Sequence, residues 1–431
     1  MGVEALHSPL ARTRAAVSPL ALDLVFYLGC LSYAVATAAG SEFYGFRVWG
    51  GFAAIGYGLA AAHTVWLWTQ RGPSGRWRSR RAGLAAIVVF AMLVPLAVLV
   101  VRRLTGVDWL ITPYSWSAQP EVWVIERSAS LLLRHGTPYV DVTALGRPPE
   151  VNDYTPYGPV MALFGLPRAL FGGSPVADAL TDARLMFALT ACLCAWLTLR
   201  LMGRPRVPVR AVQLAVACPL TALTWSVAGP DLAIVGLLLV SGALAVRDRP
   251  VGSAIVLAAV VSAKLIVAPA VVVLAVLVAA RLGRGALARF AGTFVLAGAV
   301  LTVPVLLVDP AAFVEHVIRF PAGLGVVTSP AASPLPGYLI ASTGTAGKAV
   351  AFVLLGSAAL AILSWLLRRP PVTGSDAMLR IAAGLGAFTL LTPATRYGYL
   401  VYPLVLLGAM LCFRRAEGRN LSGTTTSSSP G

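Results

Sequence analysis

Long apolar runs alternate with short basic connections along most of the chain. Runs such as 84–101, 233–246, 251–278 and 349–367 contain no acidic residue. A bilayer core of about 30 Å needs roughly 20 apolar residues per helix. The pattern therefore predicts an all-α polytopic membrane protein of about twelve spans. We place these spans at 19–39, 49–69, 82–101, 183–201, 211–227, 231–246, 251–264, 266–280, 288–308, 346–367, 377–392 and 398–413.

Composition supports lipid rather than water as the solvent of these runs. Hydrophobic residues make up 58% of the 431 residues and charged residues 12%, more apolar surface than a soluble domain can bury. We expect the first run to be a retained anchor and the Ser/Thr-rich tail at 420–431 to be disordered. All five cysteines fall in apolar runs, so neither a disulfide nor a metal site is expected.

Clusters of arginine predict the orientation of the chain in the membrane. They fall on alternate connections of the twelve-span arrangement, and basic residues in short loops stay on the cytoplasmic side. Both termini are therefore predicted to be cytoplasmic, in a multi-pass protein of a bacterial plasma membrane. The net charge of +17 follows from this topology, without a nucleic-acid partner.

A polar interruption at 102–182 divides the chain. It separates an N-terminal three-span region, 1–101, from a C-terminal multi-span bundle, 183–413. We interpret it as a large first outer loop, because it collects eight of the 17 acidic residues: Asp108, Glu121, Glu126, Asp141, Glu150, Asp153, Asp178 and Asp182.

The other outer connections carry Asp231, Lys264 and Arg396. A transporter would place its ionisable groups nearer the bilayer midplane. This one-sided set favours an enzyme working at the outer surface. A transporter or flippase of a lipid-linked intermediate remains the alternative, and a non-catalytic envelope scaffold is a third interpretation.

The acidic loop has internal order. Apolar residues at Val122, Ile125, Ala129, Leu132 and Leu133 have helical spacing and predict an amphipathic helix lying in the membrane interface. Gly136 is predicted to end this helix. A rigid aromatic turn, 152–159, then leads back towards the membrane.

These motifs resemble glycosyltransferase family 87. They are an acidic residue opening an interfacial helix, Gly136 with Tyr139 close behind, Tyr154-Thr155-Pro156, and later Gly229-Pro230-Asp231, Ser262-Ala263-Lys264 and Thr392-Pro393. The resemblance covers about 105–413 and implies a GT-C fold. It also implies a polyprenyl-phosphate sugar donor, commonly mannose, and a lipid or cell-envelope glycan acceptor.

The same resemblance implies inverting single displacement without an evident metal or other cofactor, and a lipid-donor groove in the 183–413 bundle. Two positions depart from the family pattern. Glu121 stands where the family usually has Asp, and Arg396 and Tyr397 stand where the last outer loop often has His. The identity of the base and the way the phosphate is held are the features that these departures affect.

Transfer from a lipid phosphate needs a base and cations. Glu121 is the first candidate for the base, with Asp108 and Glu126 as the others; an ordinary carboxylate at a helix N-terminus is the alternative. Lys264 and Arg396 are candidates for binding the donor phosphate. Snorkelling explains Lys264 equally well, and an anchor in an aromatic belt explains Arg396.

Four further residues are candidates for binding substrate: Asp153, Tyr154, Asp231 and Tyr397. Helix capping alone would also account for Asp231, and turn formation for Asp153. Two other features stay open or unassigned. The loop 309–345 is either a lid over the site or a passive connection, and His135 and His316 are expected to be loop histidines.

Overall fold

A computed structural model describes residues 18–70, 75–105 and 115–424, and helices dominate these ranges. The helices are α1 Pro19–Gly40, α2 Tyr44–Thr69, α3 Arg80–Ile87, α4 Val94–Val101, α5 Pro120–His135, α6 Leu166–Phe171, α7 Pro175–Leu180, α8 Ala183–Leu201, α9 Val209–Ala215, α10 Pro219–Val227, α11 Pro230–Val246, α12 Pro250–Ala263, α13 Pro269–Val308, α14 Pro310–Phe313, α15 Pro336–Ala341, α16 Thr345–Arg368, α17 Gly374–Leu391 and α18 Val401–Thr424. Within the described ranges there is no β-strand, only an isolated parallel bridge between Ala332 and Thr395. The predicted all-α class is confirmed.

Short helical turns complete several of these elements. A π-helical turn, Val88–Leu93, joins α3 to α4, and a second one, Val314–Arg319, follows α14. The 3-10 turns are Arg76–Arg78, Arg102–Thr105, Val151–Asp153, Pro159–Gly165, Leu265–Val267 and Tyr397–Leu400. Proline begins many of the helices, where its missing N–H and fixed φ cost nothing.

Six helical segments in the described ranges are long and apolar enough to cross a membrane. They are Pro19–Gly40, Arg80–Leu104, Pro175–Leu201, Leu265–Val308, Thr345–Arg368 and Tyr397–Arg419. The pair α10 and α11, bent by 115°, would make a seventh if it is one span. The protein is therefore a helical membrane protein, but the predicted count of twelve spans is not confirmed.

Short helices, and two predicted spans that fall in one helical segment, explain most of the difference between twelve and six. The predicted span 211–227 is divided between α9 and α10, of seven and nine residues, because Pro219 starts a new helix. The predicted span 251–264 is α12, whose 14 residues rise only about 21 Å. The predicted spans 266–280 and 288–308 both fall in the single 44-residue segment Leu265–Val308. Gly283 lies between the two predicted spans and leaves helical geometry (φ 79°, ψ −177°), which agrees with the predicted division of α13.

The amphipathic helix of the acidic loop is present as α5. It ends where predicted, at Gly136, whose left-handed φ of 73° suits glycine and whose N–H donates to Leu132 O. Val122, Ile125 and Ala129 are buried, as their spacing indicates, whereas Leu133 is 52% exposed. The interfacial position of α5 stays a prediction.

Two hydrophobic clusters hold the helices together. The larger one joins α5, α8, α11, α12, α13, α17 and α18, and the smaller one joins α1 and α2 to α3, α9 and α10. Helices α11 and α12 form one hairpin, and α17 and α18 form another. The start of α11 and the end of α12 therefore lie at one end of the first hairpin. The corresponding end of the second hairpin, 392–400, packs beside them.

Candidate functional site

Glu121 lies in the first turn of α5, beside residues from two distant segments. Tyr157 Oη donates a hydrogen bond of 3.2 Å to Glu121 Oε2. Arg396 Nη1 is 3.9 Å from the same oxygen. The Glu121 side chain is 18% exposed and that of Arg396 43%, so solvent or a substrate can reach both.

Lys264 and Asp231 form a buried ion pair next to this group. Lys264 Nζ donates to Asp231 Oδ1, and Tyr402 Oη donates to the same oxygen at 2.6 Å. Lys264 Nζ also lies 5.5 Å from the ring centre of Tyr157 and 4.9 Å from that of Tyr399. An opposite charge and two aromatic faces keep the ammonium stable where burial alone would disfavour it.

One glycine allows this close packing. Gly158 donates its N–H to Ala263 O at 3.0 Å, and a Cβ at residue 158 would lie 2.0 Å from Ser262 O. Any larger residue would therefore push the 154–158 segment away from α12. The contact sets Tyr157 between Glu121 on one side and Lys264 on the other.

We call Glu121, Asp231, Lys264 and Arg396, with Tyr157, Tyr399 and Tyr402, the charged cluster. Its two carboxylates balance its two cations. The cations differ in access, because the Lys264 side chain is 7% exposed and already donates to Asp231. An anion arriving from solvent meets Arg396 first.

Asp153 and Tyr154 form a separate group. Arg147 donates to both oxygens of Asp153, at 2.7 and 2.8 Å, and this ion pair lowers the carboxyl pKa. Tyr154 Oη donates to Glu315 Oε1 at 3.0 Å, and its ring stacks on Phe320. In the described part of the chain, neither side chain forms a hydrogen bond or ion pair with the charged cluster, and their substrate-binding role stays a prediction.

The other two candidates for the base differ from Glu121. Glu126 is buried, accepts from Arg103 at 3.1 and 3.2 Å, and accepts from the N–H of Ala183 at 3.0 Å. Burial raises the pKa of its carboxyl. Asp108 lies outside the described residues. Of the two candidates that the structure describes, Glu121 lies in the charged cluster and Glu126 does not, and the choice of base stays a prediction.

His316 is a buried residue of a π-helical turn, whereas the sequence suggests a loop histidine. Its Nδ1 accepts from the N–H of Thr155 at 2.8 Å, so Nε2 carries the proton and donates to Val140 O at 2.8 Å. Burial lowers the pKa of the ring to about 4. A neutral ring therefore ties together the segments at 140 and 155.

The sequence does not identify the roles of Tyr157, Tyr402, Glu315 and His316. Tyr157 belongs to the aromatic turn and could have been suspected from its place beside Gly158. Tyr402 and His316 carry no pattern of their own, since their partners are more than 150 positions away.

An apolar groove opens beside the charged cluster. It has a volume of about 270 Å³ and lies between α12, the second half of α13 and the turn at 313–318. Its lining includes Ala258, Val261, Leu265, Phe294, Val295 and Val317. Ser262 also lines the groove, two positions before Lys264 in the chain, and its hydroxyl hydrogen-bonds the hydroxyl of Thr302 at 3.0 Å. Among the described residues, no group of three or more His, Cys, Asp or Glu side chains could hold a metal ion.

Residues 151–281 match the family model described as Alpha-(1->6)-mannopyranosyltransferase, N-terminal domain. This match supports a glycosyltransferase of a mannosyltransferase family. The matched stretch contains Asp153, Asp231 and Lys264 but neither Glu121 nor Arg396. It does not single out glycosyltransferase family 87, so that finer assignment stays a prediction. No curated protein matches the chain.

Proposed function

We propose that the protein transfers mannose from a polyprenyl-phosphate donor to a lipid or cell-envelope glycan acceptor, as a GT-C-type enzyme resembling family 87. The observation that carries the proposal is the convergence of Glu121, Asp231, Lys264 and Arg396. These four residues come from separate parts of the chain and meet in one cluster. The mannosyltransferase family match supports the same class of reaction.

Glu121 is the general base in this proposal. Its carboxylate takes the proton of the acceptor hydroxyl while the hydroxyl oxygen attacks the anomeric carbon of mannose. The new C–O bond forms as the bond from that carbon to the phosphate oxygen breaks. The electron pair leaves with polyprenyl phosphate, and attack from the opposite face inverts the anomeric centre. No cofactor or metal takes part in these steps.

Arg396 is the first cation to meet the donor phosphate. Its 3.9 Å separation from Glu121 exceeds the roughly 2.7–2.9 Å of a charge-assisted hydrogen bond, so the pair is loose. The donor phosphate, a phosphodiester monoanion that gains negative charge as its bond to mannose breaks, competes with Glu121 for the guanidinium and leaves the carboxylate available for the proton. Lys264, which is held in place by Asp231, adds positive electrostatic potential from the buried side of the charged cluster.

The apolar groove would hold the first isoprene units of the donor. It is lined by hydrocarbon side chains and begins at Ser262 and Leu265, on either side of Lys264. A donor lying there would present its phosphate to the charged cluster. This arrangement supports the lipid-donor groove that the resemblance implies for the 183–413 bundle.

The proposed location is the outer face of a bacterial plasma membrane, with both termini cytoplasmic. Cysteine labelling would test this topology in a cysteine-free background. Thr328→Cys, at an exposed position on the cluster side, should react with a membrane-impermeant maleimide added to intact cells. Asp248→Cys, at the opposite end of the α11–α12 hairpin, should react only after lysis. The reverse pattern would overturn the orientation.

The transfer itself is tested with purified protein in lipid, polyprenyl-phosphate mannose carrying labelled sugar, and a membrane extract as acceptor. We expect labelled mannose in the extract with the wild type and almost none with Glu121→Gln. Asp248→Asn is the matched control, since it also removes one carboxylate but at the far end of the hairpin. Absence of transfer by the wild type, or full activity of Glu121→Gln, would contradict the mechanism. A transporter or flippase would instead move the intact lipid across vesicles and tolerate Glu121→Gln.

A further inference from the structure

Residues 326–335 form a non-helical segment, which we call the strap. It runs between Tyr154 with Glu315, which we call the Tyr154 group, and the charged cluster. Its first end is held by side chains of the Tyr154 group. Val326 donates its N–H to Glu315 Oε1 at 2.8 Å, and Val327 donates to Tyr154 Oη at 3.3 Å. The strap therefore begins at a fixed point close to the aromatic turn that carries Tyr157.

The second end of the strap pairs with the residues around Arg396. Thr395 donates its N–H to Ala331 O at 3.0 Å, and Ser333 donates its N–H to Thr395 O at 2.9 Å. Ser333 Oγ then accepts the N–H of Tyr397 at 3.0 Å. Ser333 thus contacts the residue before Arg396 and the residue after it.

These bonds define the backbone from which the Arg396 side chain extends. Arg396 is extended, with φ −127° and ψ 142°, and its O accepts from the N–H of Tyr399. A long flexible side chain binds an anion more tightly when its backbone is already ordered, because less conformational entropy is lost on binding. Fixing residues 395 and 397 orders that backbone.

We propose that Ser333 is a positioning residue, which acts through Arg396 by bonding both of its neighbours and so holds the guanidinium opposite Glu121. The inference rests on the proposed function for the role of Arg396. It assigns to the strap a part in donor affinity, beyond that of a passive connection. Ser333 itself need not touch the substrate.

Steady-state kinetics with polyprenyl-phosphate mannose test this role. Ser333→Ala removes the acceptor for the Tyr397 N–H and should raise the KM for the donor roughly three- to tenfold, the worth of one such bond, while kcat stays near the wild-type value. Ser333→Thr keeps a hydroxyl and should restore the KM. Ser342→Ala is the control, because the Ser342 hydroxyl bonds only locally, to Leu339 O, in the same loop region.

A double-variant cycle separates positioning from general stability. If Ser333 acts through Arg396, then Ser333→Ala should change the KM much less in an Arg396→Ala background than in the wild type. An equal change in both backgrounds, or an unchanged KM for Ser333→Ala alone, would overturn the proposal. If Arg396→Ala is itself fully active, the role of Arg396 in the proposed function is wrong. That result is distinguishable from a failure of the positioning role of Ser333.

Hydrogen–deuterium exchange supplies a readout that needs no activity. Ser333→Ala should speed exchange in the peptide spanning 395–399 and leave α12 unchanged. Unchanged exchange at 395–399 would overturn the proposal even if the kinetics are affected. If the wild type transfers no mannose, the proposed function falls and the positioning role falls with it, whatever the exchange shows.

Discussion

Arg396 lies 3.9 Å from Glu121, although 275 positions separate them in the chain. A partly exposed cation therefore lies close to a partly exposed carboxylate at the N-terminus of α5. It also makes the two side chains interdependent, since the charge state or position of one changes the field at the other. A phosphate that binds Arg396 therefore acts on Glu121 as well.

Replacing Glu121 should show whether its carboxylate takes the proton. Glu121→Gln keeps the size and the contact with Tyr157 but cannot accept a proton, so kcat should fall by roughly a hundredfold or more. Glu121→Asp keeps the carboxylate one methylene shorter and should retain more activity than the Gln variant. The measurement is kcat with saturating donor. Equal rates for the Gln variant and the wild type would contradict the role of base.

From the buried ion pair of Lys264 and Asp231 we predict an effect on stability that can be measured separately from activity. Lys264→Met leaves the Asp231 carboxylate buried with only Tyr402 as donor, and should lower the free energy of unfolding by about 3 kcal/mol. Adding Asp231→Asn removes the orphaned charge and should recover most of that loss. Thermal unfolding in detergent measures both variants.

Activity then separates the two roles of Lys264. If the double variant is stable but its KM for the donor stays raised, Lys264 contributes to phosphate binding beyond its structural pairing. If the double variant recovers activity together with stability, Lys264 serves the fold alone. A single variant as stable as the wild type would show that the ion pair is not needed.

His316 predicts how stability depends on pH. Burial lowers the ring pKa from an ordinary 6.5 to about 4, so the unfolded chain binds more protons than the fold between these values. The free energy of unfolding should therefore fall as the pH drops from about 6.5 to about 4, by an amount on the order of 3 kcal/mol. Well above pH 6.5, where the ring is neutral in the unfolded chain as well, His316 should contribute no pH dependence.

His316→Gln is the variant that isolates this contribution. Gln can accept from the Thr155 N–H and donate to Val140 O, as the neutral ring does, but it does not titrate. Its unfolding temperature should change less between pH 7 and pH 4.5 than that of the wild type. The same slope in both proteins would assign the acid sensitivity to other groups.

The residues that the sequence singles out by their charge lie together in the charged cluster, whereas the predicted number of spans is not confirmed. Asp231, Lys264 and Arg396 stand out because a charge beside apolar runs is costly and needs a reason. Their aromatic partners Tyr157 and Tyr402 do not stand out, because tyrosine is common at helix ends in membrane proteins. Long-range pairing, as between Tyr402 and Asp231, leaves no local pattern.

The span count was harder because hydropathy measures apolar content and not helix continuity. Pro219 divides one apolar run into two short helices, whereas the basic stretch around Gly283, where the sequence ends one span before the next, is part of the single element α13. The hydrogen bonds of Ser333 could not be predicted from the sequence either, because a serine in a Pro/Gly-rich loop belongs to no recognisable motif. Such contacts depend on how segments far apart in the chain pack together.

The apolar groove predicts a selective effect on the lipid part of the donor. Gly298 lines the groove, and a Cβ added there meets no atom within 4 Å, so Gly298→Leu can place its side chain in the groove without disturbing α13. Displacing two methylene groups of a bound chain should raise the KM for a long polyprenyl donor roughly tenfold. A donor whose lipid is too short to reach Gly298 should show an unchanged KM. Gly292→Leu is the matched control, because Gly292 lies on the same helix, also has open space, and is not part of the lining. An equal rise in KM for both donors, or for both variants, would exclude the groove as the site of the lipid chain.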